Sequence, residues 1–65
     1  MKIKYFQDTD TFYIEFRGTE AVETRDLDED TLLDIEKDGN ICAITVKHAK
    51  ARTNIPQFSF EQIPA

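Results

Sequence analysis

Residues 31–47, TLLDIEKDGNICAITVK, constrain the fold more than any other stretch of this chain. Two short runs of alternating apolar and polar residues flank Asp38-Gly39, a dipeptide that accepts the positive φ needed at both central positions of a type I′ turn. A two-residue loop sets Ile35 opposite Cys42, Leu33 opposite Ile44 and Thr31 opposite Val46. All six then share one face, while Asp34, Glu36 and Thr45 share the other. A three-residue loop would set Ile35 against Ala43 and mix the faces, so the pattern predicts the shorter turn.

The same period-two reading predicts a first hairpin over 2–17, with Ile3, Tyr5, Phe12, Ile14 and Phe16 on one face. A loop over 8–11, rich in Asp and Thr, pairs Tyr5 with Ile14 and Ile3 with Phe16. It also pairs Lys4 with Glu15 and Phe6 with Tyr13 on the outer face. Gly18 marks a reversal. Residues 21–25 read as a short edge strand with Val22 and Thr24 inward, and 26–30 as a charged loop. Residues 48–53 hold good helix formers, whereas Phe58 and Phe60 alternate like a strand but fit a packed irregular tail nearly as well. The expected fold is α+β, mainly β: a small antiparallel sheet of four to five strands, hairpins 2–17 and 31–47, and one short helix near 48–53. Residues 1–65 form a single small domain, of which 53–65 are a C-terminal tail.

A 65-residue chain buries only about 60% of its unfolded surface, and its usual reinforcements are missing. One cysteine, Cys42, excludes an internal disulfide, and one cysteine with one histidine cannot make a Cys/His zinc site. The apolar sheet face still has to be covered, and a helix over 48–53 is too short for that. The expectation is a homodimer in which the tail takes part. No apolar run approaches the ~20 residues of a membrane span and no signal-like segment opens the chain, which predicts a cytoplasmic protein without membrane association.

The net charge of −5 is concentrated: residues 19–40 hold nine acids against Arg25 and Lys37. That balance disfavours nucleic acid and suits a basic protein partner, with a merely solvated surface as the plainer reading. Asp34, Glu36, Asp38, Gly39 and Ile41 imitate the start of a calcium loop, but Thr45 stands where a bidentate glutamate is required. Asp26, Asp28 and Asp30 repeat the spacing without the glycine. Cys42 reads as core filler, and His48 as an exposed residue with no nucleophile to serve. Asp8, Asp10 and Glu15 resemble paired carboxylates, yet a small sheet offers no cleft to separate their pKa values. No enzymatic activity, cofactor or metal is expected. The contact surface expected instead comprises Phe6, Tyr13 and Glu15 with Asp26, Asp28 and Asp30. The alternatives are weak RNA contact through Lys47, Lys50 and Arg52, and an enzyme whose site forms between subunits.

Three pieces carry a family likeness: Met1-Lys2-Ile3-Lys4-Tyr5, then Asp10-Thr11-Phe12-Tyr13-Ile14, then Val22-Glu23-Thr24 leading to Leu33-Asp34 and Asp38-Gly39-Asn40-Ile41-Cys42-Ala43-Ile44. Over residues 1–52 the chain resembles the YuzE-like family of small bacterial and archaeal domains of unknown function. It departs at Ala43, where the family usually has glycine, and at His48. Family members often lie beside genes for small RelE-like toxins, so the resemblance implies an antitoxin-like partner role. It assigns no catalytic residue. The chain shows no helix-turn-helix or ribbon for operator binding.

Overall fold

The computed structural model describes residues 1–55 and 57–64. Five strands, β1 (Lys2–Phe6), β2 (Thr11–Glu15), β3 (Glu23–Asp28), β4 (Thr31–Ile35) and β5 (Ile41–Lys47), form one antiparallel sheet in the order β1-β2-β5-β4-β3. The fold is therefore almost wholly β, and the helical part of the α+β expectation shrinks to a single 3₁₀ turn, Ala49–Ala51. The physical reason sits at its start. His48 is held left-handed at φ 54°, which no helix interior accepts, and Arg52 and Thr53 both turn their N–H groups onto the Ala49 carbonyl.

The central hairpin keeps most of its expected register by an unexpected route. Leu33 faces Ile44 and Thr31 faces Val46, as the alternation predicts. The turn, however, has three loop residues. Gly39 N–H donates to the Glu36 carbonyl and Glu36 N–H to the Asn40 carbonyl, both at 2.9 Å. Of Asp38 and Gly39 only Gly39 has positive φ, at 87°. This is a type I turn closed by a glycine bulge, not type I′. Ile35 then faces Ile41, neither Cys42 nor Ala43, and Cys42 is an extra residue that restores the register before Asp34 meets Ala43. Two one-residue offsets cancel.

Nothing lies within 4 Å of a Cβ placed on Gly39, so its cost on substitution is conformational. Gly39→Ala should lower stability by about 1 kcal/mol, and the melting temperature by roughly 4–8 °C. Gly18→Ala, where φ is ordinary and the space is equally open, should leave thermal unfolding nearly unchanged.

The first hairpin closes around Gln7, Asp8, Thr9 and Asp10, one residue earlier than expected, so its register slips by two. Ile3 faces Ile14 and Tyr5 faces Phe12; Lys4 faces Tyr13 where Glu15 was expected, and Phe6 faces Thr11. A two-residue slip leaves every paired side chain on its expected face, but Phe16, expected opposite Ile3, lies past the end of β2 and is 41% exposed. β3 also starts and ends later than expected. Its Asp26 and Asp28 lie in the strand itself, all six residues are exposed, and Val22 precedes it with its side chain in solvent. The tail carries no regular structure over 57–64, and Phe58, Phe60 and Ile63 are 63–76% exposed, so the strand-like alternation there produces no strand and no packed cover.

Read across the sheet, the inner face is a row Ile3–Ile14–Ile44–Leu33–Arg25 beside a row Tyr5–Phe12–Val46–Thr31. The connection over 16–22 runs from β2 to the far edge past the β4–β5 turn. Phe16 N–H bonds the Cys42 carbonyl and Val22 N–H the Ile35 carbonyl. This passage encloses the turn end and buries Glu36, which alternation had set among the polar, solvated residues. At the opposite end the 3₁₀ turn buries Ala49 completely. Between these ends the face is open: among the described residues no large side chain is fully buried.

Candidate interaction surface

The residues singled out as a contact surface do not form one patch. Tyr13 and Asp26 lie in the same outer-face row, Lys4–Tyr13–Thr45–Leu32–Asp26, and Glu15 in the neighbouring row Lys2–Glu15–Ala43–Asp34–Thr24. Three strand spacings, ~14 Å, separate Tyr13 from Asp26. Phe6 is 46% exposed and Tyr13 half-buried, on the same side of the sheet but in adjacent rows, so the expected face-to-face aromatic pair is absent. Leu27 forms a second bulge, after which Asp28 pairs with Thr31 and belongs to the inner face. Asp30 sits in the β3–β4 turn. Strict alternation would have kept the three aspartates together; one inserted residue divides them.

Much of the acidic middle is already engaged. Asp28 Oδ1 accepts the Asp30 N–H at 2.9 Å, and that bond, with the Thr31 hydroxyl, holds the Asp28 carboxyl below its ordinary pKa. Asp30 Oδ1 meets His48 Nδ1 at 2.8 Å. Asp34 accepts the Thr24 hydroxyl at 2.9 Å. The bidentate-like contact of Arg25 with Glu23 lowers the pKa of the glutamate and raises that of the arginine. Glu36 Oε1 faces Arg17 at 3.5 Å and accepts from Asn40 at 3.3 Å, while its buried Oε2 has no hydrogen-bond partner among the described residues. Asp26 and Glu29, by contrast, make no side-chain hydrogen bond or ion pair among the described residues. They flank the free edge of β3.

The calcium-like spacing of Asp34, Glu36 and Asp38 does not converge, because Asp34 points to the outer face and Glu36 is enclosed. Among the described residues no three acidic, histidine or cysteine side chains come together as a metal site. Cys42 is a buried free thiol against the Asp34 carbonyl, at 3.5 Å, in keeping with a filler role. The basic residues of the RNA alternative are partly committed. Only the Arg52 side chain is engaged, donating to the Thr31 hydroxyl at 2.8 Å. The bonds of Lys50 and Lys47 to Asp10 and Asp30 are made by their backbone N–H groups and leave the ammonium groups uncommitted among the described residues. A shallow depression lies against the tail, lined by Asn54, Gln57, Phe58 and Ser59.

Asp10, which the sequence offers only as one of three possible paired carboxylates, takes a structural role instead. It is left-handed at φ 53°. Its Oδ1 accepts the Tyr5 hydroxyl at 2.6 Å and the Lys50 N–H at 3.2 Å, and its carbonyl accepts the Ala49 N–H at 3.0 Å. It ties the first hairpin loop to the 3₁₀ turn and so acts in structure. The one available signal was an aspartate at the end of a loop, where αL is tolerated.

These features define a small five-stranded antiparallel β domain. A family model described as a protein of unknown function, DUF2283, matches residues 2–50, and the chain belongs to that family. No curated protein and no solved structure matches the chain. No helix among the described residues is long and apolar enough to cross a membrane.

Proposed function

We propose that this domain is a protein–protein interaction module that takes a basic protein partner along its β3 edge, in the manner of an antitoxin masking a small basic toxin. The observation that carries the reading is the edge itself. β3 pairs only with β4 in the described sheet, all six of its residues are exposed, and Asp26 and Glu29 have no counter-charge among the described residues. A strand with one free backbone edge can accept another strand, and carboxylates beside it select a basic one. The outer face is graded in the same sense, with Lys2 and Lys4 on the β1 side and Asp34 and Asp26 on the β3 side. The likeness to YuzE-like domains, with RelE-like toxins encoded nearby, agrees with this direction.

Affinity capture from the native cell at low and at high salt tests the reading. A basic protein should bind at low salt and elute as salt screens the contact. The double substitution Asp26→Asn with Glu29→Gln, which leaves the fold's own hydrogen bonds intact, should abolish its capture. Co-purifying RNA, or capture unchanged by the double substitution, would refute it.

A further inference from the structure

We infer that the inner face of the sheet is the seat of a second copy of this chain, packed sheet to sheet. The row Ile3–Ile14–Ile44–Leu33 runs unbroken across four strands, with Phe12 beside it. Sheet faces of this kind are stable only under a second layer, set about 10 Å away. The described residues do not supply that layer: the 3₁₀ turn has three residues and stands at one end, and the tail points its Phe58 and Phe60 into solvent.

The area deficit has the size of a dimer contact. A compact monomer of 7.5 kDa exposes about 4,200 Å². This chain exposes 5313 Å², and its radius of gyration of 12.9 Å exceeds the roughly 11 Å of a compact chain of this length. The excess over a compact chain is about 1,100 Å², against the ~800 Å² that each partner contributes to a standard interface. On the inner face Ile3 is 40% exposed and Phe12, Ile14, Leu33, Ile44 and Val46 are half-buried.

Charge selects the occupant. Despite a net charge of −5, the rows of this face end in Arg25 and Asp28 at the β3 edge, where Arg25 is already neutralised by Glu23 and Asp28 is held by its own turn. Two copies therefore meet without like charges opposed across the middle, where a basic partner would find no carboxylate; Glu23 and Asp28 lie at the β3 edge of the face, engaged by Arg25 and by the Asp30 N–H. An isologous contact needs only that the surface be complementary to itself, and an uncharged aliphatic row satisfies this. The dimer surface is distinct from the β3 edge proposed for the basic partner.

Sedimentation velocity on the full chain should give twice the 7.5 kDa chain mass at ~10 µM. Ile14→Lys puts a charge at the centre of the row and should raise the dimer Kd by roughly a hundredfold or more. Thr45→Lys, on the outer face, should leave the mass doubled. If Ile14→Lys does not fold, an NMR dilution series on the unsubstituted chain decides: shifts on dilution should concentrate at Ile3, Ile14, Leu33 and Ile44. A chain mass of one copy throughout, or dilution shifts confined to the outer face or the β3 edge, overturns the inference. Neither result bears on capture of a basic protein by Asp26 and Glu29.

Discussion

Ile35→Ala is expected to cost about 2–4 kcal/mol, the largest loss of any single truncation in this domain. Ile35 is the one large aliphatic side chain here that reaches 7% exposure; the other buried apolar residues are Cys42, Ala43 and Ala49. It sits where the connection over 16–22 passes the β4–β5 turn, and its carbonyl accepts the Val22 N–H at 2.9 Å. A domain of 65 residues has only about 3–10 kcal/mol of stability to lose. The expected result is a fall in melting temperature of 10 °C or more, read by circular dichroism, or a chain unfolded at 25 °C. A loss below about 1 kcal/mol would mean that the enclosure around Ile35 does not form. Because that enclosure also buries the Cys42 thiol, reaction of Cys42 with a thiol reagent should speed up in parallel.

Asp10→Ala should be the second most damaging change, at about 2–3 kcal/mol from a strained left-handed alanine together with lost hydrogen bonds. Asp10→Gly separates the two parts, since glycine accepts φ 53° but cannot hold Tyr5 or Lys50. The variant also carries a spectroscopic signature. Hydrogen bonding to the Asp10 carboxylate, then burial and the carboxylate charge, push the Tyr5 hydroxyl from 10.0 up to about 12. Folding therefore holds this proton more tightly than the unfolded chain does. Its contribution is complete below pH 10 and is lost as pH rises through about 12. Tyr13 is raised as well, by burial first and then by Glu15 and Asp34. Absorbance at alkaline pH should show neither tyrosine titrating at its ordinary value in the native chain, and Asp10→Ala should return one of them towards 10. Two unshifted tyrosines in the native chain would remove the Tyr5–Asp10 bond from the account.

The two hairpins were legible because side chains alternate with period two. Ile3, Tyr5, Phe12 and Ile14 share a face whether the first hairpin closes at residue 10 or 11, since a two-residue slip preserves parity. The buried Cys42 and exposed His48 were likewise readable from their neighbours. Bulges break that protection. Leu27 sends Asp28 to the opposite face from Asp26, so three evenly spaced aspartates that looked like one patch are not one. Nothing local announces such an insertion, because it is decided by which hydrogen bonds the neighbouring strand offers.

Sequence alone determined that this chain makes antiparallel ribbons with one apolar side and an acidic middle, because alternation and turn residues act over a few positions. Tertiary structure alone decided that the edge strand β3 begins and ends later than alternation suggests, that Glu36 is enclosed, that Asp10 joins two distant loops, and that the described residues lay no second layer over the apolar rows. Those outcomes depend on contacts between residues far apart in sequence, whose closure no local pattern specifies.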